Sequence, residues 1–245
     1  MTFNDRTAVI TGAAGKIGRK TAFEFSRYGV RLFLTDIDME KLNALVAELR
    51  EVNPEVYAVE MDVSNLESIE KGSQTIFQQA GKVDILINNA GAWPRGSALE
   101  CSDEEWLSIV NLNLHSVFRL SKIFGAKMKA QNYGRIINLA SIAGLAGLPE
   151  RCAYSVSKAG VLMLTKTMAM ELAKCNVTVN SVSPGMIAEE SQPSSGTWLG
   201  RSGTGDDVAR AIVFLAADGS GYITGTDLPV DGGRSLGPLT TGFKG

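Results

Sequence analysis

The stretch Thr7-Ala8-Val9-Ile10-Thr11-Gly12-Ala13-Ala14-Gly15-Lys16-Ile17-Gly18 decides how the rest of the chain is read. Thr7 to Thr11 is a short apolar run stopped by Gly12, the pattern of a buried strand. A glycine-rich turn follows, and then a helical pattern that continues through Tyr28. Strand, turn and helix together build an anion site. Small residues let the backbone approach a pyrophosphate, and the helix N-terminus offers unpaired N–H groups at its positive end. Taken alone, the same residues also describe a plain structural turn.

The following segments separate those readings. Val30 to Thr35 is apolar apart from Arg31 and ends at Asp36, eighteen residues after Gly18. A carboxylate at the end of a second strand accepts both hydroxyls of an adenosine ribose and repels a 2′-phosphate. Asp36 also has the residue type of a helix N-cap, but Asp38 is better placed to cap the helical run Lys41 to Val52. Glycine turn and carboxylate together favour a dinucleotide.

From there strands and helices alternate to the end. Strands are expected at Val56 to Met61, Val83 to Ile87, Arg135 to Leu139, Val177 to Val182 and Asp227 to Val230. Helices are expected at Leu66 to Ala80, from a capping box at Ser102 and Glu105 through Lys129, after Tyr154, and at Asp206 to Ala216. Seven strands alternating with helices imply an α/β fold with a parallel sheet covered on both faces. Residues 1–245 show no internal boundary, low-complexity tract or repeat, so one domain is expected. Ligands of such sheets bind outside the carboxyl ends of the strands. Gly12, Asp36, Asp62, Asn88 to Gly91, Ser141 and Pro184-Gly185 all fall there, which makes them one candidate site.

Composition narrows the function. The chain has 245 residues, 44% of them hydrophobic, and a formal net charge of −2. That is enough for a sizeable core and makes no electrostatic case for nucleic acid or a membrane surface. No apolar run approaches the ~18 residues that span a bilayer. Residues 1–6 are polar and lead straight into a strand, so no signal peptide is expected, and a reduced cytoplasmic setting fits. Three scattered cysteines (Cys101, Cys152, Cys175) and the single His115 leave no disulfide framework, and no metal site is expected. His115 reads as a packed or interface residue rather than a catalytic one.

Chemistry centres on Tyr154-Ser155-Val156-Ser157-Lys158. Residues four apart on a helix share a face. A phenol titrates near pH ~10, and a neighbouring ammonium lowers that value. A drop of roughly three units, about 4 kcal/mol, brings a tyrosine into general acid/base range. A core tyrosine and a solvated lysine would share the same spacing, so the pair depends on its company.

With that company included, the chain resembles the short-chain dehydrogenase/reductase family from about Thr7 to Gly233. The resemblance rests on the glycine turn, Asp62-Val63, Asn88-Asn89-Ala90-Gly91, Asn113 seven residues after Trp106, and Ser141 thirteen before Tyr154. It continues through Lys158, Pro184-Gly185, Ile223-Thr224-Gly225 and Val230-Asp231-Gly232-Gly233. It implies a single-domain Rossmann fold with a seven-stranded doubly wound sheet, and hydride transfer between NAD(P) and a secondary alcohol or its ketone. Tyr154 is then the general acid/base, Ser141 the donor to the substrate oxygen, and Lys158 the group that lowers the Tyr154 pKa and holds the nicotinamide ribose. Asn113 holds a water that links Lys158 to solvent. The cofactor set it implies begins with Gly12, Gly15, Lys16, Ile17, Gly18, Asp36 and Ile37. Asp62, Val63, Asn89, Ala90 and Gly91 follow, and then Tyr154, Lys158, Pro184, Gly185 and Ile187. A homotetramer is the assembly it implies.

Two departures stand out. Lys16 occupies the middle glycine position of the family's turn, with Gly15 one place earlier to supply a permissive backbone. Lys16 is either a solvated helix-start residue or a cation beside phosphate, and in the second case it blunts the preference that Asp36 sets. NAD is the expected cofactor and NADP the alternative. Glu189 stands where a threonine usually holds the carboxamide, at the start of a short Ser-, Gly- and Pro-rich loop, 188–200, expected to be mobile. Substrate candidates are Trp93, Arg95, Leu148, Arg151 and Trp198, the arginines hinting at an anionic substrate. Lys122, Lys127 and Lys129 are a basic cluster suited to an acidic carrier protein or simply to solvent. The expected function is therefore an alcohol dehydrogenase or carbonyl reductase. The alternatives are a 3-oxoacyl-carrier-protein reductase using NADPH and, from another class, a non-catalytic dinucleotide sensor.

Overall fold

The computed structural model describes residues 1–3 and 5–237. Most of the tail in which the sequence shows no function, residues 238–245, lies outside the described residues. In chain order the strands are β1 (Thr7–Thr11), β2 (Arg31–Asp36), β3 (Val56–Glu60), β4 (Ile85–Asn88), β5 (Gly134–Leu139) and β6 (Val177–Pro184), then β7 (Ile187–Ala188), β8 (Gly203–Thr204) and β9 (Asp227–Val230). The helices are α1 (Lys16–Ser26), α2 (Met39–Arg50), α3 (Leu66–Ala80), α4 (Asp103–Val110), α5 (Ser116–Ala130), α6 (Ile142–Leu145), α7 (Cys152–Leu172) and α8 (Gly205–Ala216). A seven-stranded sheet runs in the order β3-β2-β1-β4-β5-β6-β9, and β7 and β8 pair separately. Every pairing in the large sheet is parallel.

Strand alternation feeds two cores, because successive side chains point to opposite faces. Ala8, Ile10, Leu32, Leu34, Ile85 and Ile87 enter one, with Phe25 of α1, Leu45 of α2 and Ile212 of α8. Val9, Phe33, Leu86 and Ile136 enter the other, with Ile76 of α3, Phe124 of α5 and Ala169 of α7. Burial on both faces is why these strands read as unbroken apolar runs. Helix starts follow their caps: Asp38 accepts from Lys41 N at 3.1 Å, Asn65 from Ser68 N at 3.1 Å, and Ser102 and Glu105 form the capping box.

The sheet grows outward from β1 to β3 and then back across to β4. The crevice at that reversal, between the ends of β1 and β4, is where α/β sheets bind ligands. Three features go beyond the sequence expectations. The helical region from Ser102 is broken by a π-helical turn at Asn111–His115. The short α6 follows Ser141, and the β7–β8 ladder closes the base of the 188–200 loop. Among the described residues, no helix is long and apolar enough to cross a membrane.

Candidate active site

A cleft of about 1200 Å³ runs along the strand ends. At its first turn Gly12 has φ +60°, and a Cβ there would lie 2.8 Å from Ala90 Cα. Gly18 is tighter still: a Cβ would lie 2.4 Å from Gly12 O and 2.8 Å from Asn89 Nδ2. Asn89 braces the turn by donating to Thr11 O at 2.8 Å and Gly12 O at 2.9 Å. Thr11 Oγ1 accepts in return from Asn89 N and Ala90 N, at 3.0 and 3.1 Å. Gly15 is extended at φ −74°, so its backbone makes no demand that only glycine meets. It caps α1 without any side-chain hydrogen bond, which leaves the helix's first N–H groups open to an anion.

Asp36 stands at the end of β2, its carboxylate accepting from Ala14 N at 3.0 Å and Asp38 N at 3.1 Å. Ile37 beside it is 66% exposed, an apolar surface left bare at the cleft wall. Asp62 and Val63 lie on the same wall, Asp62 turning its carboxylate to Ser64. The glycine cradle, uncapped helix start and Asp36 fit a dinucleotide. Lys16 lines the cleft with its ammonium 3.2 Å from Glu189.

Farther along, two residues past the end of β5, Ser141 caps α6 by accepting from Ala143 N at 3.1 Å. Ser141 lines the cleft together with Tyr154. Tyr154 and Lys158 occupy successive turns at the start of α7 and both line the cleft. The expected effect of Lys158 on Tyr154 needs correction. Lys158 Nζ donates to Leu139 O at 2.6 Å and sits 5.9 Å from the Tyr154 ring centre. Burial raises the Tyr154 pKa, and the nearby Ser141 hydroxyl and the Arg151 charge act against that rise. Lys158 is itself buried and its pKa is lowered to about 8, because little around the amine replaces water.

Asn113 lies behind the cleft, in the π-helical turn and fully buried. Its Oδ1 accepts from Ala92 N at 3.0 Å and its Nδ2 donates to Ala92 O at 2.8 Å. The side chain expected to hold a water thus clamps the strand-end turn. A Cβ on Gly91 would meet Asn113 Oδ1 at 2.8 Å and Lys158 Nζ at 3.6 Å, so all three converge.

Pro184, Gly185 and Ile187 also line the cleft, as do Trp93, Arg95, Leu148 and Arg151. Arg151 donates to Trp93 O and pairs its backbone with Gly96, which fixes the Trp93–Gly96 segment against α7. Trp198 does not line the cleft. The Gly196–Gly200 turn is drawn to the C-terminal side, where Leu199 N donates to Gly232 O at 3.1 Å and Trp198 packs on Gly233. The loop expected to be mobile is knitted by Ser194 N to Gly200 O, Ser202 N to Gln192 O and Gly203 N to Met186 O, at 2.8 to 2.9 Å. Among the lining residues that escaped the sequence reading are Met186 and Arg234. Met186 carries no chemical signal, but Arg234 is a cation just past the last strand, and it donates to Gly196 O at 2.9 Å. His115 is exposed in the single chain, which leaves the interface half of its expected reading.

The chain belongs to the short chain dehydrogenase family, which it matches over residues 6–199. It is accordingly an oxidoreductase, and NAD(P) is its cofactor. It is 35% identical to the 3-oxoacyl-(acyl-carrier-protein) reductase FabG of Thermotoga maritima, across 95% of this chain and 99% of that one. It is 36% identical to BbsD of Thauera aromatica, a hydroxy(phenyl)methylsuccinyl-CoA dehydrogenase subunit, across 96% and 99%. The crystal structure of acetoin dehydrogenase YohF from Salmonella typhimurium superposes with a TM-score of 0.90 at 29% identity, covering 97% of this chain and 100% of that one.

Proposed function

We propose that the chain works as one dinucleotide-binding domain that interconverts a secondary alcohol and its ketone, with NAD preferred. The placement of Ser141, Tyr154 and Lys158 together on the lining of one cleft carries this reading. A bound nicotinamide supplies or accepts the hydride. In the oxidising direction Tyr154 Oη takes the hydroxyl proton, and in reduction it returns one. Ser141 Oγ stabilises the substrate oxygen where charge develops. Lys158 holds the cofactor's ribose, and Asn113 keeps Gly91 and Ala92 in place around it. Asp36 favours an unphosphorylated ribose.

Arg95, Arg151 and Arg234 all line the cleft, which supports an anionic substrate. A second reading, 3-oxoacyl-carrier-protein reductase, is favoured by the likeness to FabG of Thermotoga maritima. We also propose a homotetramer, because α7 exposes Val156, Met163 and Met170 on one stripe, beside exposed Leu107 of α4 and Phe118 of α5.

The test is a rate screen of simple ketones, keto acids and an acetoacetyl thioester with NADH and NADPH, on wild type and Tyr154→Phe. Tyr154→Phe is expected to lose about a thousandfold in kcat while NADH affinity stays within about twofold. An undiminished rate in that variant would remove Tyr154 from the chemistry, and a marked preference for the thioester with NADPH would establish the second reading. No turnover by wild type with any of them, despite tight dinucleotide binding, would indicate a sensor.

A further inference from the structure

Lys16 and Glu189 are the two positions at which the chain departs from the family's pattern, and the fold makes them partners. Lys16 opens α1 on the wall of the dinucleotide cleft. Glu189 follows β7, on the side of the cleft reached from β6. Their charged groups meet at 3.2 Å, with the lysine side chain 33% exposed and the glutamate 79%. So exposed a pair adds little to fold stability, and an effect on what enters the cleft is a better account of it.

The backbone root of Lys16 is two residues past Ala14, whose N–H is held by Asp36. A lysine stem is flexible, and its compact charge goes where a partner holds it. Here the partner lies on the β7 side, away from Asp36. The other cations of α1 at this end are also engaged, Lys20 by Asp206 at 3.2 Å and Arg19 by Glu48.

We propose that Glu189 is a cofactor-specificity residue that acts through Lys16, parking its ammonium on the β7 side of the cleft. So placed, the ammonium cannot neutralise a phosphate on the adenosine ribose beside Asp36. Discrimination against NADP then comes from two acids. Asp36 repels the 2′-phosphate directly, and Glu189 withholds one cation that would offset the repulsion, while Lys41 near Asp36 is held by Asp38 at 2.6 Å. This role rests on the NAD-preferring reading of the cleft and adds a second determinant to it.

The test measures Kd for NADH and NADPH by nicotinamide fluorescence at low ionic strength, on wild type, E189Q, K16Q and the double variant. E189Q is expected to bind NADPH roughly three- to tenfold more tightly and NADH within about 1.5-fold of wild type, the scale of an exposed ion pair. The double variant is expected to return NADPH to its wild-type Kd. The gain in E189Q is expected to shrink at about 0.5 M salt, where exposed charges are screened. An equal gain for both cofactors would overturn the role, because Lys16 would then serve the diphosphate they share. No change, or weaker NADPH binding, would overturn it as well. The wild-type Kd ratio tests NAD preference separately, and the change made by E189Q tests Glu189.

Discussion

Lys158 bears a desolvation cost that its position in the site makes unavoidable. Its amine is buried, it donates to Leu139 O, and its pKa is lowered to about 8 from 10.5. Below pH 8 both folded and unfolded chains carry the charge, and the fold bears the full penalty. Between about 8 and 10.5 the unfolded chain keeps a proton that the folded chain has released, so stability rises with pH. At pH 7 the penalty is on the order of 3 kcal/mol, at 1.4 kcal/mol per unit. Lys158→Met is expected to stabilise the fold at pH 7, with its advantage over wild type fading by pH ~10 in urea unfolding. A constant difference across that range would show that the amine is not desolvated. At this scale, residue types and spacings showed where Ser141, Tyr154 and Lys158 belong. They could not show that Lys158 turns to Leu139 or that Arg151 acts on Tyr154, since both depend on side-chain direction.

The elements were legible in proportion to their length. The helix Leu66–Ala80 has the bounds its apolar periodicity gives, and the strands end within two residues of expectation. The π-helical turn at Asn111–His115 has no pattern of its own, and the four-residue α6 is too short to show a period. The glycine turn connecting β1 to α1 is the junction least open to change. Gly18→Ala puts a methyl 2.4 Å from Gly12 O and 2.8 Å from Ala13 Cα, atoms of the backbone that cannot step aside. It is expected to destabilise by about 1–3 kcal/mol and to weaken NADH binding at least about tenfold in titration. Gly219→Ala, with nothing within 4 Å of the added Cβ, is the control and is expected to change neither.

At the scale of the whole molecule, the exposed apolar residues of α4, α5 and α7 are a surface that the chain alone leaves wet. Val156, Met163 and Met170 recur every seven residues of α7 and are 48%, 62% and 74% exposed. A homotetramer is expected in sedimentation. Met163→Lys with Met170→Lys is expected to shift it to smaller species with an unchanged far-UV spectrum, and a wild-type monomer would refute the assembly.

The sequence by itself determined the alternating α/β fold, the line of ligand-facing residues at the strand ends and the Ser141, Tyr154 and Lys158 set. Each of these is written in local periodicity or in spacing along one chain. Tertiary structure decided the rest. It joined Lys16 to Glu189, turned Trp198 away from the cleft, knitted the 188–200 loop and brought Arg234 to the wall. These contacts join segments far apart in the chain. Their geometry is set by packing around two cores, which no stretch of residues read alone can encode.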